Sequence, residues 1–255
     1  MTFLASVVTW LLDPAHWRGS DAIQVRLLEH LALSGTALAM AVVLALPLGV
    51  LLGHTGRGAL LVINVANVGR ALPSLAILAL VLPLAFRLGL GLGFWPTVLT
   101  LIPLGVPLIL INSYVAVRSV DRDTVEVARG LGMRAWDVLR IVELPLAAPL
   151  IVAGIRNAAV AIVATATLGA LVASGGLGRY IVDGLARREQ ERLFVGALLV
   201  ALLSSATEVA FGLLERIVVP AQVRSSQQVA ARASAGRAAP AERATGATGD
   251  RSGGR

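Results

Sequence analysis

The chain has 255 residues, 56% of them apolar, with a formal net charge of +7 and no cysteine. Soluble domains are about 45–50% apolar, so the excess is that of a membrane protein, and disulfides and thiolate metal sites are excluded. All 22 basic residues are arginine, so a GxxxxGK[ST] phosphate loop is impossible and the chain cannot by itself be a P-loop ATPase.

His16, His30 and His54 are scattered, without HExxH-type spacing. No metal or other cofactor is expected, and the histidines read as interfacial or loop residues. Much of the positive charge lies in residues 221–255, where six arginines face only Glu242 and Asp250. Aromatics are 4% of the chain and no RNA-binding motif is present. The charge therefore reads as a solvated tail plus a topology signal, and no nucleic-acid partner is expected.

Residues 1–12 are apolar but too short to cross a ~30 Å hydrocarbon core, and Asp13-Pro14 follows them. No basic n-region or small-residue cleavage site fits a cleaved signal peptide. Residues 1–30 are expected to form an outer-face interfacial segment anchored by Trp10 and Trp17.

The uncharged stretch 31–53 is long enough to span, and a turn with His54, Gly56 and Arg57 follows. Residues 59–86 are apolar apart from Asn64, Asn67 and Arg70, and Pro73 interrupts them. They read as 59–69 entering at the cytoplasmic interface and 71–86 running deeper. After the outer turn GLGLGFWP come a third span at 97–117, a charged segment at 118–145, a fourth span at 146–173, a polar loop at 174–192 and a fifth span at 193–215. The expected fold is all-α and polytopic, with about five core transmembrane helices within residues 31–218. The Ala/Arg/Ser/Gly/Thr composition of 219–255 cannot build a core and reads as a disordered basic cytoplasmic tail.

Five spans put the termini on opposite sides. With the tail inside, thirteen arginines lie on the cytoplasmic side and seven on the outer side, which favours a cytoplasmic tail and a cytoplasmic 118–145 segment. The glycines of SGGLGR (174–179) have no βαβ context and read as an exit from a span, not a nucleotide loop. Arg70, Arg156 and Glu208 lie in or near spans. Such groups either serve a translocation pathway or snorkel and hold helices together. Arg156 falls about ten residues, ~15 Å, into its span, deep enough to face a vestibule. Ser74, Asn112, Thr165 and Thr167 join Arg70 and Arg156 as pathway candidates, with bonding between helices the alternative for most of the uncharged ones.

The segment 118–145 balances five arginines against five carboxylates. A neutral, mixed-charge segment is a poor anchor for lipid or nucleic acid and suits docking on another protein. Asp123 or Thr124 can cap a helix beginning near Val125. Gly130 and Gly132 allow a bend. A second helix from about Met133 to Val142 carries Trp136, Leu139 and Val142 at spacings of three, and Pro145 is expected to end it and start the next span.

Within this segment Glu126, Ala128, Gly132, Val142, Leu144 and Pro145 match E-A-A-x3-G-x9-I-x-L-P, with Val127 for the middle alanine and Val142 for isoleucine. This pattern resembles the coupling segment of the membrane subunits of bacterial ABC importers. The stretches ALPSLAILAL (71–80), YVAVRSVDRDTVEVARGLGM (114–133), VELPLAAPLIVAGIRNA (142–158) and ATLGALVASGGLG (166–178) are similar to permeases for osmoprotectants such as glycine betaine, carnitine or choline. The similarity covers about residues 15 to 218; Arg70 stands where that family often has an uncharged polar residue.

The resemblance implies a type I importer permease in the bacterial cytoplasmic membrane that does no chemistry itself. It implies a second permease subunit, identical or paralogous, cytoplasmic ATPase subunits and an extracytoplasmic substrate-binding protein. Glu126 would face a basic partner on the ATPase, and Gly132 would permit the turn between two short helices. A type I permease for an amino acid or sulfonate stays open. So, from another class, does an ion-gradient-driven secondary transporter, although no internal repeat is present.

Overall fold

The computed structural model describes residues 3–218, except for the side chains of Arg70 and Val218. The basic tail 219–255 lies outside the described residues. Helix α1 (Phe3–Leu12) and a 3-10 turn (Pro14–Trp17) lead into the 33-residue α2 (Ile23–Thr55). Then follow α3 (Ala59–Ala71), α4 (Ser74–Arg87), α5 (Phe94–Arg118) and the short α6 (Arg122–Gly130). A helical turn α7 (Ala135–Asp137) runs through a π-helical stretch (Val138–Glu143) into α8 (Leu144–Thr165) and a 3-10 segment (Ala166–Val172). Helices α9 (Gly178–Arg187) and α10 (Gln190–Val218) close the described chain. Four apolar helical stretches are long enough to cross a membrane, and the pair α3–α4, bent by 95°, makes a fifth when counted as one broken span.

The core is built on α2. Ala37, Ala41, Ala45, Gly49 and Gly53 recur every four residues and are all buried. This small-residue stripe lets the α5 backbone approach closely. A Cβ added at Gly49 would stand 2.8 Å from the Leu110 carbonyl oxygen, and one at Gly53 2.8 Å from Val117 Cβ. Three apolar clusters follow one another down the contact. Leu33 and Ala37 meet Val98, Leu101 and Ile162; Ala41 and Ala45 meet Ile109, Leu110 and Ala158; Val50 meets Ala116, Val117, Ala147 and Ile151. Hence α2 and α5 run parallel, and α8 runs antiparallel to both.

Several expected boundaries shift. The first span begins at Ile23, not 31, because Gln24, Arg26, Glu29 and His30 continue the helix and find partners. His30 is therefore no interfacial histidine. It is fully buried, and its Nε2 lies 2.8 Å from the Val163 carbonyl oxygen of α8. Residues 59–86 form two helices, since Pro73 has no N–H and disfavours helical backbone at Leu72, which is extended. The loop 174–192 contains the amphipathic α9, whose Tyr180 packs with Ile23, Leu177 and Val200. Trp10 does more than anchor an interface: it stacks on His16 at 3.6 Å and meets the Tyr180 ring edge-on.

Candidate functional site

The charged segment folds as helix, turn and helix between α5 and α8. Asp121 caps α6, two to three residues earlier than expected from Asp123 or Thr124. Its carboxylate accepts from the Asp123 N–H (3.4 Å) and from the Thr124 hydroxyl (3.2 Å). At the other end Met133 N–H bonds the Ala128 carbonyl and Gly132 N–H bonds the Arg129 carbonyl. This is the double bond pattern of a Schellman cap. It requires the left-handed backbone that Gly132 adopts at φ +85°, while Gly130 stays helical. Ala128 is buried under α6, and Glu126 is exposed on it. Val127, Leu131, Trp136 and Ile141 remain 62–80% exposed. A neutral segment thus presents apolar side chains among charges, a composition suited to a protein partner.

The second helix does not stop at Pro145. In the π-helical stretch Leu144 N–H bonds the Leu139 carbonyl, five residues back. The wider turn accommodates Pro145, which lacks an N–H and would crowd a normal turn. Val142 and Leu144 are half-buried, and Glu143 between them is 4% exposed. The Glu143 carboxylate sits 2.6 Å from His54 Nδ1 at the carboxyl end of α2. This contact ties α2 directly to the stretch that carries the charged segment. In the sequence Glu143 is one of ten balanced charges and His54 follows a span; 89 residues apart, they carry no local signal of the pairing.

The pathway candidates do not converge. Asn112 on α5 donates to its own helix, to the Leu108 carbonyl at 2.7 Å, and packs against Gly154 of α8. Ser74 is half-buried at the start of α4. Thr165 ends α8, and Thr167 donates to the Ala164 carbonyl at 3.1 Å. The bonds recorded for Asn112 and Thr167 are local; neither joins two helices. The Arg70 side chain lies outside the described residues. Arg156 pairs with Glu208 (3.3 Å) and Glu215 (3.2 Å) across Gly212 on α10. An apolar cleft of about 490 Å³ between α3 and α5 is lined by Asn64, Val65, Val106 and Pro107, not by Ser74, Asn112, Arg156, Thr165 or Thr167.

The Arg156 cluster yields a first prediction. Arg156→Met is expected to loosen α10 and lower the thermal midpoint of the detergent-purified chain, with a polar contact between membrane helices contributing about 1 kcal/mol. Adding Glu208→Gln and Glu215→Gln should restore the midpoint. Uptake that also recovers in the triple variant identifies a structural clamp; uptake that stays lost places Arg156 on the substrate's route.

A second network, missed in the sequence, joins α2, α9 and α10 at the opposite end of the bundle. Arg192 bonds Asp21 (2.6 Å) and approaches Asp183 (3.4 Å), Arg26 bonds Asp21 (2.9 Å) and Glu29 (2.8 Å), and Glu29 accepts from Gly176 N–H (2.8 Å). Tyr180 donates to the Asp21 carbonyl. Burial, reinforced by the Asp21 charge, pushes its hydroxyl up to about 12.

A bundle of membrane-length helices interrupted by an exposed, mixed-charge helical hairpin defines a multi-pass membrane protein. The fold is that of type I importer permeases: a chain of the MetNI methionine ABC transporter, in an inward-facing form, superposes with a TM-score of 0.69 at 23% identity, over 82% of this chain and 99% of that one. Residues 45–219 match the family of the binding-protein-dependent transport system inner membrane component, and the chain belongs to that family. It is 37% identical over 201 residues to the glycine betaine/carnitine/choline transport system permease protein OpuCB of Bacillus subtilis, covering 79% of this chain and 90% of that protein. It is 34% identical over 223 residues to the carnitine transport permease protein OpuCB of Listeria monocytogenes, covering 88% and 98%. Members of the family are transport components, not enzymes.

Proposed function

We infer that the chain is the membrane-spanning permease of an ATP-driven importer for quaternary-amine osmoprotectants, the class of glycine betaine, carnitine and choline. The observation that carries this reading is the hairpin between α5 and α8, exposed and apolar at Val127, Leu131 and Trp136, in a chain similar to permeases of those solutes along most of its length. The hairpin is the dock for a cytoplasmic ATPase. Glu126 supplies a charged acceptor to it, Gly132 shapes the turn, Ala128, Val142 and Leu144 seat the hairpin on the bundle, and the exposed Pro145 joins it to α8. Movement imposed there passes through the π-helical stretch into α8 and changes the packing of α2, α5 and α8 between two states. A second permease subunit completes the pathway, and an extracytoplasmic binding protein delivers the solute. Residues 23–218 form the permease domain in this reading, since the first span begins at Ile23.

Expression together with an ATPase and a binding protein of an osmoprotectant importer, in bacteria lacking osmoprotectant uptake, should give concentrative uptake of labelled glycine betaine, carnitine or choline. Uptake of an amino acid or sulfonate instead would overturn the assigned solute class.

Orientation is tested separately on the cysteine-free background. Ala186 and Ala135 are both exposed, on α9 and on the hairpin. An impermeant thiol reagent added outside intact cells should label Ala186→Cys and spare Ala135→Cys. The reverse pattern would overturn both the cytoplasmic hairpin and the ATPase dock.

A further inference from the structure

Between the hairpin and the carboxyl ends of α2 and α5 lies a cavity of about 320 Å³. Its charged lining is Arg118, Arg122 and Arg129 with Glu126, Glu143 and His54. Glu143 is engaged by His54. Among the described residues, no ion pair within 4 Å involves Arg118, Arg122, Arg129 or Glu126. Three unpaired guanidinium groups therefore share one concave site with one unpaired carboxylate. Arg118 has a local task as well. It lies over the left-handed Gly56 that ends α2, where a cation offsets the partial negative charge of a helix carboxyl end. Arg122 and Arg129 have no such explanation, and both are exposed.

We propose that this cavity is a binding site for a phosphate group. The guanidinium fork matches phosphate oxygens geometrically and keeps its charge at any physiological pH. The cavity adjoins the ends of two membrane-length helices, Ile23–Thr55 and Phe94–Arg118. A phospholipid phosphate would reach it from the inner membrane surface, and a soluble phosphate from the aqueous side. An occupant there bridges α2, α5 and α6 and stiffens the hairpin against the bundle. Glu126 competes with the anion for the same arginines.

The test uses the full-length chain in nanodiscs of phosphatidylcholine, with or without phosphatidylglycerol, followed by native mass spectrometry. Inorganic phosphate is titrated in a parallel arm. Retention of phosphatidylglycerol by the parent chain should fall about tenfold in Arg122→Gln/Arg129→Gln, since each lost contact of an exposed cation has a modest effect. Arg134→Gln, on the same hairpin but outside the cavity lining, should leave retention unchanged. Glu126→Gln should raise it, an effect that a merely structural role of these residues does not produce. If inorganic phosphate binds with the same dependence on the variants and the lipid does not, the occupant is a soluble phosphate. Binding of neither, or binding equal in all variants, would overturn the proposal.

Discussion

Glu143→Ala is expected to leave the chain in the membrane but to lower its thermal midpoint by several degrees and to cut uptake more than tenfold. The carboxylate is 4% exposed and accepts from His54 across the joint between α2 and the π-helical stretch. Its removal leaves a half-buried imidazole N–H without an acceptor, at a cost of about 1–3 kcal/mol. In a chain of this size each kcal/mol moves the midpoint by about 2–4 °C. His54→Ala should be the more severe change, because it strands a carboxylate in the interior, which costs about 3–5 kcal/mol. His54→Asn keeps a donor near the position of Nδ1 and should restore most of the loss. Scanning fluorimetry of the purified variants, with uptake measured in parallel, checks the series. A Glu143→Ala chain as stable and as active as the parent would show that the contact does not hold the joint.

Gly132→Val should separate insertion from coupling. The turn needs φ +85° at this position. Nothing lies within 4 Å of an added Cβ, so the obstacle is backbone strain and not crowding. For a branched residue that strain is of order 1–3 kcal/mol, enough to undo a cap held by two backbone bonds. The helices of the bundle do not depend on the cap and should still insert. Gly132→Asn, which tolerates the left-handed region, should behave nearly as the parent chain does. Glu126→Ala leaves the fold untouched, since its carboxylate has no ion pair among the described residues. It should weaken ATPase association about tenfold to a hundredfold, the range for losing a hydrogen bond to a charged group. Substrate-stimulated ATP hydrolysis by the assembled importer should be lost in Glu126→Ala and Gly132→Val and kept in Gly132→Asn. Normal co-purification of the ATPase with Glu126→Ala would refute the dock.

The parts of this architecture that follow from local chemistry were legible in the sequence. Uncharged runs marked the spans, Pro73 marked the break, and the spacing from Glu126 to Pro145 marked the hairpin. Contacts between distant residues were not legible. His54 reads as a turn histidine until α2 and the π-helical stretch are side by side. Arg26 and Glu29 read as reasons to start the first span late, whereas Asp21 and Gly176 satisfy them and allow α2 to begin at Ile23. Helix α9 was hidden because Arg179, Asp183 and Arg187 interrupt its ten residues, and two of the three residues on its buried face, Gly178 and Gly184, are glycines. The cap of α6 was misplaced by two to three residues because Asp121, Asp123 and Thr124 all have capping side chains, and only the path of the chain leaving α5 selects among them.

The π-helical stretch also fixes a direction. A normal α-helix advances about 100° per residue, and one widened turn adds a residue without adding a full step of rotation. Every side chain from Ala135 to Asp137, and α6 beyond them, is therefore aimed by an angular offset stored in Val138–Glu143. Deleting a single residue there would not need to unfold anything. It would close the widened turn and remove that offset, re-aiming the hairpin so that a well-formed dock faces where no partner stands. Insertions and deletions in this short stretch act as a compass error.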